Sequence, residues 1–216
     1  MPRRTPAPER PPLPLEYETH VAAELSGLEN YKLLIGAIIP RPIAWVTTLG
    51  PGGVVNAAPF SAFTFVCSDP PMVGINAGRK EGELKDTPRN IAAMKEFVVN
   101  IVSVPLGAQM HQTSADYPAG ISELEAVRLS PSPSQFIKTP GILEAPVRME
   151  CRLHSIHEFG VGPAWFMVGD VLAFHIRKDI IQNGKIDSFA LDPLGRLGGP
   201  NYATLGSPVI LTLDPV

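Results

Sequence analysis

Apolar residues fall along this chain in short runs broken by turn residues, without the three-and-four spacing of amphipathic helices. From Tyr31 onward the runs are Leu33 to Ile35, Ile43 to Leu49, Val54 to Ala58, Ala62 to Val66, Met72 to Ile75 and Phe97 to Val102. Their length and bounding residues predict strands. Gly50-Pro51-Gly52-Gly53 joins two of them, which predicts an antiparallel hairpin of Ile43 to Leu49 with Val54 to Ala58. Two longer runs, Val147 to Phe159 and Trp165 to Ile176, flank Gly160-Val161-Gly162-Pro163 and predict a second hairpin.

Helical signals are few. Thr87-Pro88 reads as an N-cap followed by proline at the first helical position, where the missing N–H costs nothing, and that helix is expected to run to about Lys95. A second helix is expected after Pro105, from Leu106 to about Gln112, and a short one near Ser122 to Val127 within an otherwise loop-like stretch, 114–146. The segment Asp192 to Val216 is glycine-rich and reads as irregular chain packed over the domain. Short strands joined by turns, with few intervening helices, match a closed or nearly closed antiparallel barrel better than a doubly wound sheet. No Gly-x-Gly-x-x-Gly opens a βαβ unit, so a nucleotide has to be held in another way.

Composition narrows the function classes. The 216 residues suit one domain, and 24 prolines with 19 glycines agree with many turns. Six of the prolines lie in the first 15 residues and define an N-terminal arm, taken as 1–28, before a domain of 29–216. The arm reads as loose chain lying on the domain or on a partner subunit, with an SH3-type ligand as the rival. A net charge of -3 provides no basic field for a nucleic acid. No apolar run approaches the roughly 20 residues that span a bilayer, and no signal peptide is evident. Cys67 and Cys151 fit neither a disulfide framework nor a zinc ribbon and are expected to be small core residues, so a reducing cytoplasm is the expected location.

Two stretches carry candidate chemistry. In Asn56-Ala57-Ala58-Pro59-Phe60-Ser61, small rigid residues are expected to end a strand at Ala58 and Pro59, with polar groups on either side of a slot where a flat aromatic ligand can lie. The same residues equally fit an ordinary bulge. In the stretch from Arg79 to Asn90, the cations Arg79, Lys80 and Lys85 precede a helix N-terminus, a setting that suits a phosphate monoester. A solvated charged loop is the plainer reading of that stretch alone. Flavin mononucleotide has both a flat ring and one phosphate.

In order and spacing, Arg41 to Val46, Asn56 to Ser61, Asp69-Pro70-Pro71-Met72, Lys85-Asp86-Thr87 with Asn90-Ile91, and Phe97 to Asn100 resemble the flavin reductase-like proteins. These include reductase components of two-component monooxygenases and flavoredoxin-type proteins. Glu144-Ala145-Pro146, Glu150-Cys151, Gly169-Asp170-Val171 and Arg196 to Gly199 with Tyr202 extend the resemblance to about residues 29–214. It implies a mainly β fold, a Greek-key antiparallel split β-barrel with a few short helices, usually a homodimer with FMN bound non-covalently near the subunit interface. Carried over by position, Asn56, Ala58, Pro59, Phe60 and Ser61 border the flavin, with Thr47 and Thr48 on the preceding strand. Lys85 and Thr87, with Arg79, meet the phosphate, Asp86 orients that loop, and Arg196 and Tyr202 close over the site.

The implied activity is an NAD(P)H-dependent FMN reductase that releases reduced flavin to a partner monooxygenase or passes electrons to another acceptor. The alternative is a flavoredoxin-like module that holds FMN and is reduced by a protein partner; a barrel without cofactor, serving as a scaffold, is a third. Because flavins carry their own hydride chemistry, no catalytic side chain is nominated. His154 and His157, three apart on a strand, point to opposite faces and make a poor metal site, so no metal is expected. Ser61 lacks the Gly-x-Ser-x-Gly setting of a hydrolase nucleophile, and Trp45 and Trp165 are expected in the core rather than stacked on a ring.

Overall fold

The structure is a computed structural model that describes residues 16–80, 82–118 and 120–211. Residues 1–15, the proline-rich part of the arm, lie outside the described residues. The chain divides into two units, residues 39–205 and residues 1–38 with 206–216.

In the smaller unit the described residues hold α1 (Gly27–Ala37). The apolar run Leu33 to Ile35, expected as a strand, lies inside this helix. The reason is local: Ser26 and Glu29 form a capping box, the Ser26 hydroxyl receiving the Glu29 N–H while the Glu29 carboxylate accepts from the Ser26 N–H at 2.8 Å. A short apolar run cannot tell strand from helix by itself, whereas a cap can.

In the larger unit seven strands form one antiparallel sheet: β1 (Ala44–Leu49), β2 (Val55–Phe60), β3 (Phe63–Ser68), β4 (Pro71–Ala77), β5 (Glu96–Ile101), β6 (Val147–Phe159) and β7 (Ala164–Ile176). They are hydrogen-bonded in the order β2-β1-β5-β6-β7-β4-β3. The first and last strands in that order, β2 and β3, are consecutive in sequence and joined only by Ser61 and Ala62. So short a connection obliges the sheet to curl until its two edges meet at one end, which produces the split barrel. The hairpins β1/β2 and β6/β7 form as expected from their glycine-proline turns.

Barrel closure decides the burial pattern. Ala44, Val46, Val73, Ile75, Phe97, Val99 and Met167 fill the interior. On the outer face of β1 and β5, Trp45 packs with Met110, Leu124 and Ile142, contributed by α3 (Gly107–Gln112), α4 (Glu123–Ala126) and the loop that follows. Strand β1 is therefore buried on both sides. Trp45 and Phe97 have no exposed surface, and each such burial is worth about 1.5–3 kcal/mol.

The segment 130–142 holds one two-residue antiparallel pairing, Pro131–Ser132 with Gly141–Ile142, is otherwise irregular as expected, and is held to the sheet by polar side chains of β5 and β6. The Asn100 amide donates to the Trp45 carbonyl at 2.8 Å and its oxygen accepts from the Ile142 N–H at 2.8 Å. Glu96 accepts from the Lys138 and Thr139 N–H groups, and Glu150 from those of Gln135 and Phe136.

Three further details differ from expectation. Strand β2 continues through Pro59 to Phe60, with Pro59 opposite Trp45. Proline is tolerated because β2 is an edge strand and Pro59 turns its missing N–H outward, where no ladder bond is lost. The helix expected from a Thr87 cap begins earlier: α2 (Asp86–Met94) has Lys85 at its N-cap. Thr87 is buried and its hydroxyl is paired with the Asn56 side chain, so it is not available for capping. Pro88 still falls in the first turn, where N–H groups have no helical partner. The two expected cysteine environments also part: Cys151 is a core residue whose thiol burial pushes far up in pKa, whereas Cys67 is only half-buried on β3 and its thiol donates to the Asp69 carbonyl at 3.3 Å.

Candidate functional site

One cavity of 470 Å³ opens beside the edge of the barrel. Its first wall is β2, through Asn56, Ala58, Pro59 and Phe60; its second is the approach to α2, with Lys85 and Thr87. The far side is the segment after α3, from Thr113 to Tyr117, and Glu123 at the start of α4 completes it. A volume of this size lies in the range of small-molecule sites.

The local sequence explains each wall. Pro59 keeps β2 at the edge, so one side of that strand stays open to a ligand. Lys85 sits at the N-cap of a nine-residue helix, where its charge adds to the partial positive charge of unpaired N–H groups. Asp86 is paired with Arg89, which removes much of its repulsion toward an anion. Thr113 receives the indole N–H of Trp45 at 2.9 Å and donates to the Met110 carbonyl at 2.7 Å, which secures the far wall to the outer core.

Glu123 is the residue that sequence reading missed. It is 8% exposed, and its Oε2 accepts the Ala57 N–H at 2.9 Å. Burial raises its carboxyl above the ordinary 4.5, and the Ala57 hydrogen bond offsets part of that rise. The Asn56 amide orientation that satisfies both neighbours puts its nitrogen 3.2 Å from Glu123 Oε1 and its oxygen 2.9 Å from Thr87 Oγ1. Nothing in local spacing marks this acid; the only hint is Ser122-Glu123 opening a short helix.

The structure brings six of the expected site residues together in the cavity: Asn56, Ala58, Pro59, Phe60, Lys85 and Thr87. Thr47 and Thr48 lie behind that wall, fully buried; the Thr47 hydroxyl donates to the Pro140 carbonyl at 2.7 Å, and Thr48 accepts from the Asn90 amide at 3.1 Å. Ser61 stands just past β2 and accepts from Arg41 Nε at 3.4 Å. Arg79 does not line the cavity: it donates to the Pro163 carbonyl at 3.2 Å and stacks 5.8 Å over Trp165. Arg196 and Tyr202 belong to a neighbouring cluster in which the Tyr202 hydroxyl meets both Arg196 and His111 Nδ1, the latter at 2.8 Å. Their short strand pairing sets Arg196 opposite Arg41.

Elsewhere, His154 and His157 take separate partners, Asp170 and Ser155. Trp45 is a core residue, and Trp165 is partly buried with its N–H on Glu158. Among the described residues no helix is long and apolar enough to cross a membrane.

The family profile described as flavin reductase like domain matches residues 36–190. The crystal structure of nitrilotriacetate monooxygenase component B from Bacillus cereus is 39% identical, covering 92% of this chain and 100% of that one, with a TM-score of 0.89. That of 2-nitrobenzoate 2-nitroreductase NbaA from Pseudomonas fluorescens is 37% identical over 91% of this chain and 96% of its own, with a TM-score of 0.82. The uncharacterized protein YwrF of Bacillus subtilis is 42% identical over 191 residues, 86% of this chain and 93% of YwrF.

Proposed function

This chain belongs to the flavin reductase-like family, and on that premise we propose that it is an FMN-binding oxidoreductase that takes electrons from NAD(P)H and passes them on to a partner or acceptor. The observation that carries this reading is the meeting, in one 470 Å³ cavity, of the β2 wall with Lys85 and Thr87 at the α2 N-terminus. The donors present fit the group: a cation and first-turn N–H groups suit a single phosphate, and the walls formed by Ala58, Pro59 and Phe60 suit a flat ring.

When bound, FMN supplies the acceptance and donation of hydride. The chain's own part is positional. Lys85 and the first turn of α2 hold the phosphate, and Thr87 and Asn56 close the seam between the helix and β2. Pro59 and Phe60 shield one side of the ring position from water. Ser61, held by Arg41, and the pair Arg196 and Tyr202 border this region from the adjoining cluster. Such placement of reactants is how a flavoprotein scaffold contributes to rate without an acid or base of its own.

The reading extends to a homodimer in a reducing cytoplasm, in keeping with two free thiols, and to release of reduced flavin to a partner monooxygenase. The resemblance to a monooxygenase component favours that outlet over a module reduced by a protein partner. The test is anaerobic mixing of the protein with FMN and then with NADH or NADPH. Loss of the oxidised-flavin absorbance, with turnover of excess FMN, is expected. No reduction by either nicotinamide would remove the enzyme assignment, and retention of one flavin per site with no turnover of added FMN would favour the carrier.

A further inference from the structure

Glu123, Asn56 and Thr87 all line the cavity and form one chain of side chains from α4 across β2 to the first turn of α2. Glu123 Oε2 receives the Ala57 N–H at 2.9 Å, while Oε1 lies 3.2 Å from the Asn56 amide. The other end of that amide is 2.9 Å from the Thr87 hydroxyl. An amide has a donor end and an acceptor end, and a half-turn exchanges them. Which end faces Glu123 is therefore set by whether Oε1 carries a proton.

With the carboxyl ionised, Oε1 is an acceptor and takes the amide N–H. The amide oxygen then accepts from the Thr87 hydroxyl, and from the Ala57 N–H as a second contact at 3.3 Å. With the carboxyl protonated, Oε1 is a donor and the amide turns over. Its oxygen accepts from Glu123, its nitrogen donates to Thr87 Oγ1, and the Ala57 N–H keeps Glu123 Oε2. The Thr87 hydroxyl hydrogen points to Asn56 in the first state and is released in the second. Among the described residues that hydroxyl has no other acceptor within hydrogen-bonding reach. An unmatched buried hydroxyl is costly, so the protonated state is complete only when a ligand in the cavity supplies an acceptor.

Charge acts in the same direction. Burial lifts the Glu123 carboxyl above the ordinary 4.5, and an anion in the same cavity favours the neutral acid further. The other ionisable groups on the cavity are Glu83, Lys85, Asp86, Asp116 and Tyr117. The four charged ones are exposed, as is Glu125 on α4, so solvent screens them; Glu123 is the buried charge.

We propose that Glu123 is a positioning residue whose proton turns the Asn56 amide and so directs the Thr87 hydroxyl to an anion bound at the start of α2. A proton and a phosphate then bind together, each favouring the other by the same factor. This inference rests on the flavin reading, which supplies the phosphate. Glu123 touches Asn56 and β2 and acts on the anion through them.

The test measures binding of FMN and of riboflavin from about pH 5 to about pH 9, by calorimetry in buffers of differing ionisation enthalpy, which counts the protons taken up. FMN is expected to draw up to about one proton more than riboflavin, after subtraction of the phosphate's own titration at about pH 6. Glu123→Gln holds the hydrogen bonds of the protonated acid permanently, its oxygen serving the Ala57 N–H and its nitrogen serving Asn56. It should bind FMN without the extra proton and, at the alkaline end, up to about tenfold more tightly than the wild type, with the gain confined to FMN. A Glu123 that merely supported packing would move both flavins alike and add no proton. Equal proton counts for the two flavins in the wild type would overturn the inference while leaving the flavin reading intact, as would an extra proton that persists in Glu123→Gln. Failure of the wild type to bind either flavin would overturn the flavin reading and this inference with it. The wild-type count needs no variant to fold.

Discussion

The indole N–H of Trp45 donates to the hydroxyl of Thr113 at 2.9 Å, and neither residue is more than 2% exposed. This bond ties the innermost strand of the β1/β2 hairpin to the far wall of the cavity, 68 residues along the chain. Replacing Thr113 by valine keeps the shape and removes the acceptor, leaving a buried donor unpaired. Thr113→Val is expected to lose about 1–3 kcal/mol of stability, read from the midpoint shift in urea unfolding. An unchanged midpoint would mean that the indole finds another acceptor.

Lys85 is assigned to phosphate, so its role should depend on the ligand. Lys85→Ala is expected to weaken FMN binding about tenfold, as befits loss of one cation at a helix N-terminus, while riboflavin, which lacks the phosphate, should bind the variant and the wild type alike. Parallel titrations with the two flavins check this, and equal losses for both would place the phosphate elsewhere.

Glu150 supplies a pH dependence with a definite sign. Burial by itself would raise its pKa, but hydrogen bonds from the Gln135 and Phe136 N–H groups and from His175 outweigh it, and the carboxyl sits below the ordinary 4.5. A carboxylate with a depressed folded-state pKa stabilises the fold above its unfolded value and loses that contribution as the pH falls through the folded one. Below pH 4.5 the wild type should therefore lose stability more steeply than Glu150→Gln, as measured by denaturant unfolding at a series of pH values. The loop carrying Gln135 and Phe136 should gain amide exchange first.

Gly169 has no room for a side chain. A Cβ there would come within 2.5 Å of the Phe97 ring, which has no exposed surface and is packed on all sides in the barrel interior. Gly169→Ala is expected to cost about 1–3 kcal/mol through overpacking. Thermal unfolding checks the size, and adding Phe97→Leu to Gly169→Ala should recover part of it.

Much of this molecule was legible from contiguous residues. The two hairpins follow from Gly50 to Gly53 and Gly160 to Pro163, and the short helix after Leu106 from Pro105, because turn chemistry and proline act within a few residues. The stretch from Asn56 to Phe60 and the pair Lys85 and Thr87 were likewise readable as a slot and a cation at a helix start. What only the tertiary structure decided depends on groups distant in sequence. Closure of the barrel buried Thr47 and Thr48 behind the cavity, because β1 is covered on both faces. The path of the chain took Arg79 to the Pro163 carbonyl instead of the cavity. It also carried Glu123 across 66 residues to the Ala57 N–H. An acid buried at a strand edge leaves no periodic or local mark, since its partner is a backbone group that every residue but proline possesses. The sequence alone thus determined which segments form the walls, and the packing of α4 against β2 determined which polar groups those walls leave open.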